Sequence, residues 1–215
     1  IVERFRGGVP NWGISESPLV DGDRLIVTPG GSGAAIVALD KKDGTPIWQS
    51  QSDEAGYSSP IAFDVPGGAR QIVVLTGDAA VGLAARDGKL LWRYDKVSNR
   101  TANIATPIFH NGHVFVSTDY GTGCALLKLA PDGKASEVYF SREMRNHYNT
   151  SVLVGDYLYA GHGHNAGAPS CLEWKTGKSV WRHARGPGSG SAAVAYAVGN
   201  LYFRFQNGVM ALIGA

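Results

Sequence analysis

Between residues 36 and 48 the chain alternates as a hairpin must. Ile36, Ala38 and Asp40 fall on one side of an extended backbone and Val37 and Leu39 on the other. Lys41, Lys42, Asp43 and Gly44 supply turn chemistry, and Pro46, Ile47 and Trp48 start a second strand that carries a large aromatic. Asp43-Gly44 suits a tight turn because glycine accepts a positive φ at no steric cost. The same unit returns over 82–92, with Asp87-Gly88 and Trp92, and over 171–181, with Thr176-Gly177 and Trp181. A worn copy over 127–139 turns at Asp132-Gly133, carries two extra residues and ends in Tyr139. The aromatic positions lie 44, 47 and 42 residues apart. That period has room for four short strands, which predicts an all-β propeller with one four-stranded blade per repeat.

Repeat starts at Ser17-Pro18, Ser59-Pro60, Thr106-Pro107 and Ser151-Val152 divide a single domain, 1–215, into blades over 17–58, 59–105, 106–150 and 151–192. A fifth begins at 193, runs through strands over 201–205 and 209–213, and stops one outer strand short. Residues 1–6 alternate as well. Phe5 precedes Ser17 by 12 residues, as Trp48, Trp92 and Tyr139 precede Ser59, Thr106 and Ser151 by 11, 14 and 12. Residues 1–6 are therefore expected to pair beside 209–213 and complete the fifth blade, removing an exposed edge. The chain is then either a closed five-bladed ring or five blades of a longer one.

With 44% hydrophobic and 18% charged residues in 215, the chain can bury a real core, and its 29 glycines fit many tight turns. A net charge of +2 without any Lys/Arg run points away from nucleic acid and anionic membranes. No run reaches the roughly 18 apolar residues of a membrane helix, so no transmembrane segment is predicted. Counted from their turn glycines, Cys124 and Cys171 fall on opposite sheet faces, which predicts free thiols rather than a disulfide.

The run Ala38-x-Asp40-x-x-x-Gly44-x-x-x-Trp48, matched in part over 82–92 and 171–181, resembles the tryptophan-docking repeat of the quinoprotein-like (pyrroloquinoline quinone, PQQ) β-propeller superfamily. The segment also resembles the C-terminal part of uncharacterised secreted propellers of that superfamily. The resemblance implies rings of seven or eight blades, an extracytoplasmic (periplasmic or secreted) location, and Trp48, Trp92, Tyr139 and Trp181 as the side chains that dock blade on blade. In its dehydrogenase members it implies PQQ and calcium in the central funnel. Their vicinal Cys-Cys pair is absent here.

Loops over 11–17, 55–59, 102–106, 146–151 and 188–191 lead into the innermost strands and should open on the funnel. Trp12, Glu16, Tyr57, Asn103, His147 and Asn149 are the ligand candidates among them, for a protein or small-molecule ligand; the alternative is that short polar residues there satisfy crowded backbone groups. Glu16 is the only carboxylate in those loops, where calcium wants several oxygens. His162-Gly163-His164 could chelate zinc if a third ligand arrived, and otherwise sits in an outer glycine-rich loop. No metal or cofactor is assigned, and no catalytic residue. The expected function is a non-catalytic binding or scaffolding module; the alternative is a PQQ- and calcium-dependent alcohol or sugar dehydrogenase, or part of one.

Overall fold

A computed structural model describes residues 1–147 and 149–215. Each repeat folds as an antiparallel meander. Blade one is β1 (Leu19–Asp21), β2 (Arg24–Val27), β3 (Ile36–Asp40) and β4 (Pro46–Ser50); blade two is β5 (Ile61–Asp64), β6 (Arg70–Leu75), β7 (Ala80–Ala84) and β8 (Leu90–Tyr94). Blade three is β9 (Ile108–His110), β10 (His113–Thr118), β11 (Gly123–Leu129) and β12 (Ala135–Ser141); blade four is β13 (Val152–Val154), β14 (Tyr157–His162), β15 (Ala168–Glu173) and β16 (Ser179–Arg182). The fifth sheet has three strands, β17 (Ala192–Ala197), β18 (Asn200–Phe205) and β19 (Met210–Gly214). Among the described residues no helix is long and apolar enough to cross a membrane.

Turn chemistry sets the outer hairpins. Gly44, Gly88, Gly133 and Gly177 all adopt positive φ (74°, 71°, 90° and 65°). The residue before each accepts a main-chain hydrogen bond from two residues on: Asp43 from Thr45, Asp87 from Lys89, Asp132 from Lys134 and Thr176 from Lys178.

The core lies between blades rather than inside one. Ile26, Ile36 and Ala38 of blade one pack on Ile72, Val74 and Leu83 of blade two; Val73 and Leu75 of blade two meet Val114 and Leu127 of blade three. Phe115 and Leu126 meet Leu158 and Leu172, and Tyr159 meets Leu201 and Phe203. Both faces of the middle strands are therefore buried, which is why they read as nearly continuous apolar runs.

The outer aromatics occupy these interfaces in two different ways. Trp48 reaches forward: its indole N–H donates to the Ala85 carbonyl of the next blade (3.1 Å), its ring covers Gly88, and Ser50 Oγ donates to the Gly88 carbonyl (2.6 Å). Tyr139 likewise lies against Gly177, with Ser141 Oγ on the Gly177 carbonyl (3.1 Å). Trp92 instead folds back over Gly82 of its own blade and donates to Gln71 Oε1 (2.9 Å), so Leu91 faces Gly133 in its place. Trp181 borders the cluster between blades four and five.

Two expectations need correction. Residues 1–6 are not a strand beside β19: Val2–Phe5 form a short helix, α1, and the fifth sheet stays at three strands. The physical reason is local. Phe5 is buried against Val27, Ala34, Val37 and Leu39, the face of blade one turned away from blade two, and Arg4 donates to the Gly44 carbonyl (3.1 Å). Deleting residues 1–6 should then raise amide exchange in β2 and β3 and leave β18 and β19 as protected as before; the reverse pattern would restore the pairing with β19.

The second correction concerns the thiols. Cys124 and Cys171 do not sit on opposite faces: Cys124 lies two residues before Leu126, which pairs with Tyr139, and Cys171 pairs with Trp181, so both face the following blade. The residue opposite the aromatic lies seven residues before the turn glycine in the third hairpin (Leu126, Gly133) but six before it in the fourth (Cys171, Gly177), so a count from the turn is off by one. Both thiols are free and buried because blade four stands between them, and burial pushes Cys124 up to about 12.

Candidate functional site

Because strands alternate in direction, the loops into each inner strand and the loops joining second to third strands emerge at one end of the sheets. Among the described residues, a groove and a cavity open on this loop face. A groove of about 970 Å³ runs between residues 6–11 and the loops carrying Tyr57, Asp78 and Asn103. A cavity of about 430 Å³ is lined by Asp119, Tyr120, Arg145, His162, His164 and Arg182, among others.

Two of the predicted residues, Tyr57 and Asn103, line the groove, and a third, Trp12, stands against Tyr57. Trp12 is 64% exposed, its main-chain N–H donates to the Tyr57 hydroxyl (3.3 Å), and the two rings are tilted 5.8 Å apart. Tyr57 donates its main-chain N–H to the Asn103 carbonyl (2.9 Å). Asn103 is 1% exposed and fully engaged: its amide donates to the Thr76 (3.0 Å) and Gly77 (2.7 Å) carbonyls while its Oδ1 accepts from Asn99 N (2.9 Å). It holds loops together.

The others are placed elsewhere. Glu16 turns its carboxylate to Thr28, accepting from the main-chain N–H (2.8 Å) and from the hydroxyl; burial raises its pKa and the two Thr28 bonds oppose that. His147 lies between the Tyr120 hydroxyl (2.9 Å from Nε2) and Ser191 Oγ (2.6 Å from Nδ1). Asn149 donates to the Val194 carbonyl (3.2 Å) and accepts from the Asn146 amide. The funnel candidates thus do not converge as one set, and Tyr148 in the same loop lies outside the described residues.

His162 and His164 part company. His162 ends β14 and faces Arg145, whose main-chain N–H donates to Nδ1 (3.2 Å) and whose guanidinium lies 3.2 Å from Nε2. His164 instead stacks on His147, centroids 4.4 Å apart, with Tyr120 edge-on to both. Among the described residues no group of three His, Cys, Asp or Glu is placed to hold a metal. Sequence reasoning missed Asp119, Tyr120 and Arg145; the Asp119-Tyr120-Gly121 turn between second and third strands was the available signal.

Burial, then the charges of Arg182 and Arg145, pulls His162 down to about 4; burial and His164 lower His147 as well. A histidine with a depressed folded pKa binds fewer protons folded than unfolded between the two values. Stability is therefore complete above the unfolded value near 6.5 and falls as the pH drops toward 4. His162 is 7% exposed but borders a hollow open to water, so the loss should be about 1–2 kcal/mol. Denaturant titrations across pH 4–7 should show this slope, and His162→Gln should flatten it; an unchanged slope would rule His162 out as the titrating group.

The family described as outer membrane protein assembly factor BamB matches residues 3–183. The chain belongs to that family. Among solved structures, BamB from Moraxella catarrhalis is 18% identical, with a TM-score of 0.73, over 94% of this chain and 58% of that one. The quinohemoprotein alcohol dehydrogenase ADHIIG from Pseudomonas putida HK5 gives 14% and 0.56 over 94% of this chain and 42% of that one; a europium-containing methanol dehydrogenase gives 14% and 0.59 over 94% and 51%. No curated protein matches the sequence. These likenesses establish a PQQ-type propeller fold, and the chain spans under three fifths of the BamB structure it resembles.

Glu16 does not suit the calcium that the dehydrogenase alternative calls for. Glu16, the one carboxylate of the loops leading into inner strands, already accepts two hydrogen bonds from Thr28, where calcium would need several free oxygens.

Proposed function

We propose that this BamB-family chain is a non-catalytic propeller module of outer membrane protein assembly, working in the periplasm, whose loop face docks a partner protein. One observation carries the reading: Val9, which lines the 970 Å³ groove, and Trp12, which stands against Tyr57 of its wall, are 63% and 64% exposed, and Ile14 two residues on is 56% exposed. Large apolar side chains clustered beside polar walls are the composition of a protein interface, with Trp as the kind of anchor that dominates binding energy. The neighbouring polar candidates Glu16 and Asn103 spend their hydrogen bonds on Thr28, Thr76 and Gly77. They hold the rim in shape for docking instead of serving chemistry.

A photo-cross-linking residue at position 12 should capture a protein of the outer membrane assembly machinery in cell envelopes, while the same residue at Val180, exposed on β16, should not. Equal capture at both positions, or none at 12, would defeat the reading. Added PQQ and calcium with an artificial electron acceptor should give no reduction with alcohols or aldoses; turnover would return the dehydrogenase alternative.

A further inference from the structure

The second hollow carries a separate inference. Asp119, just after β10, is 3% exposed and its Oδ2 has no hydrogen-bond partner. A buried carboxylate oxygen without a donor is costly and needs an explanation. The same cavity is lined by Arg145, whose guanidinium reaches the His162 ring and forms an ion pair with no carboxylate among the described residues. Arg182, the other arginine of the wall, is held by Glu143 (3.1 Å). The cavity therefore presents an acid without a donor and a guanidinium without an acid, too far apart to pair with each other.

A simple cation would satisfy Asp119 but meet Arg145 and Arg182; a simple anion would meet Asp119. A ligand with both signs a few ångströms apart relieves both groups. We propose that this cavity binds a free α-amino acid, with its ammonium donating to Asp119 and its carboxylate accepting from Arg145. A volume near 430 Å³ falls in the small-ligand range, and the Tyr120 and His164 rings offer a surface for its side chain. His162, kept uncharged, accepts the Arg145 main-chain N–H at Nδ1 and so fixes the backbone that carries the guanidinium.

Calorimetry on the intact protein with the twenty L-amino acids tests this. At least one probe should bind, and its carboxamide, which lacks the carboxylate, should bind at least tenfold more weakly. Asp119→Asn and Arg145→Gln should each weaken it at least tenfold. The probe's N-acetyl derivative, which lacks the ammonium charge, should likewise bind at least tenfold more weakly, and equal binding of that derivative would overturn the proposal. Asp119→Asn, which removes an uncompensated charge, should melt no lower than the unsubstituted protein. No binding by any probe, equal binding of the carboxamide, or undiminished binding by both variants would overturn the proposal. A lower melting temperature of Asp119→Asn together with no binding would make Asp119 purely structural. None of these outcomes depends on Trp12 or its groove.

Discussion

Trp48→Ala is expected to lower the unfolding free energy by about 3–5 kcal/mol, the range for deleting a large buried aromatic. The indole is 8% exposed and belongs to two blades at once: it stands among Ile26, Ile36 and Ala38 of blade one and Ile72, Val74 and Leu83 of blade two. Its N–H is the partner of the Ala85 carbonyl, so truncation also leaves a buried acceptor without its donor. A Cβ at Gly88 would lie 2.6 Å from the ring, which shows how closely the turn of blade two is seated on it. Lys42→Ala, on the exposed turn of the same hairpin, should stay within about 0.5 kcal/mol. Equal urea midpoints for the two variants would remove Trp48 from the blade contact.

The repeat was legible because each of its parts has a local cause. A turn glycine, an Asp or Thr before it and alternation on either side specify a hairpin without reference to anything distant, and the observed pairs Ala38↔Trp48, Gly82↔Trp92 and Cys171↔Trp181 follow the same spacing. The course of residues 1–6 was not legible, because alternation over six residues suits a short amphipathic helix as well as a strand, and burial of Phe5 on blade one decides between them. The candidate site divides in the same way. Trp12 and Tyr57 stand out in the sequence because large aromatics in funnel loops are conspicuous, whereas Asp119 and Arg145 meet at one cavity only because blades three and four are neighbours, which no local pattern records. His162 and His164 are only two residues apart, yet one ends a strand and the other turns back onto His147.

The largest effect of a single added methyl is expected at Gly82. The equivalent positions in blades one, three and four carry Ala38, Leu126 and Cys171 opposite their aromatics, so nothing in the strand itself demands glycine. Its φ is not among the positive ones either. What demands it is Trp92, whose indole lies where a Cβ would be, directly over the glycine. Gly82→Ala must push the indole away from Gln71, breaking a buried 2.9 Å hydrogen bond to a side chain whose Nε2 already has no partner. Lost bond and overpacking together should cost about 3–4 kcal/mol. The cost should be conditional on the ring: in a Trp92→Leu background, where the smaller side chain leaves room, Gly82→Ala should cost less than about 1 kcal/mol, giving a coupling of at least 2 kcal/mol in a double-mutant cycle. Additive costs would mean that Gly82 answers to the backbone and not to the indole. Ala38→Gly in blade one is the complementary measurement. Because Trp48 leans forward onto Ala85 and Gly88, its partner position has room for the methyl, and removing it should be only mildly unfavourable, about 1 kcal/mol. Opposite signs of the glycine–alanine preference at positions 38 and 82 would follow from the two ways in which these tryptophans are seated.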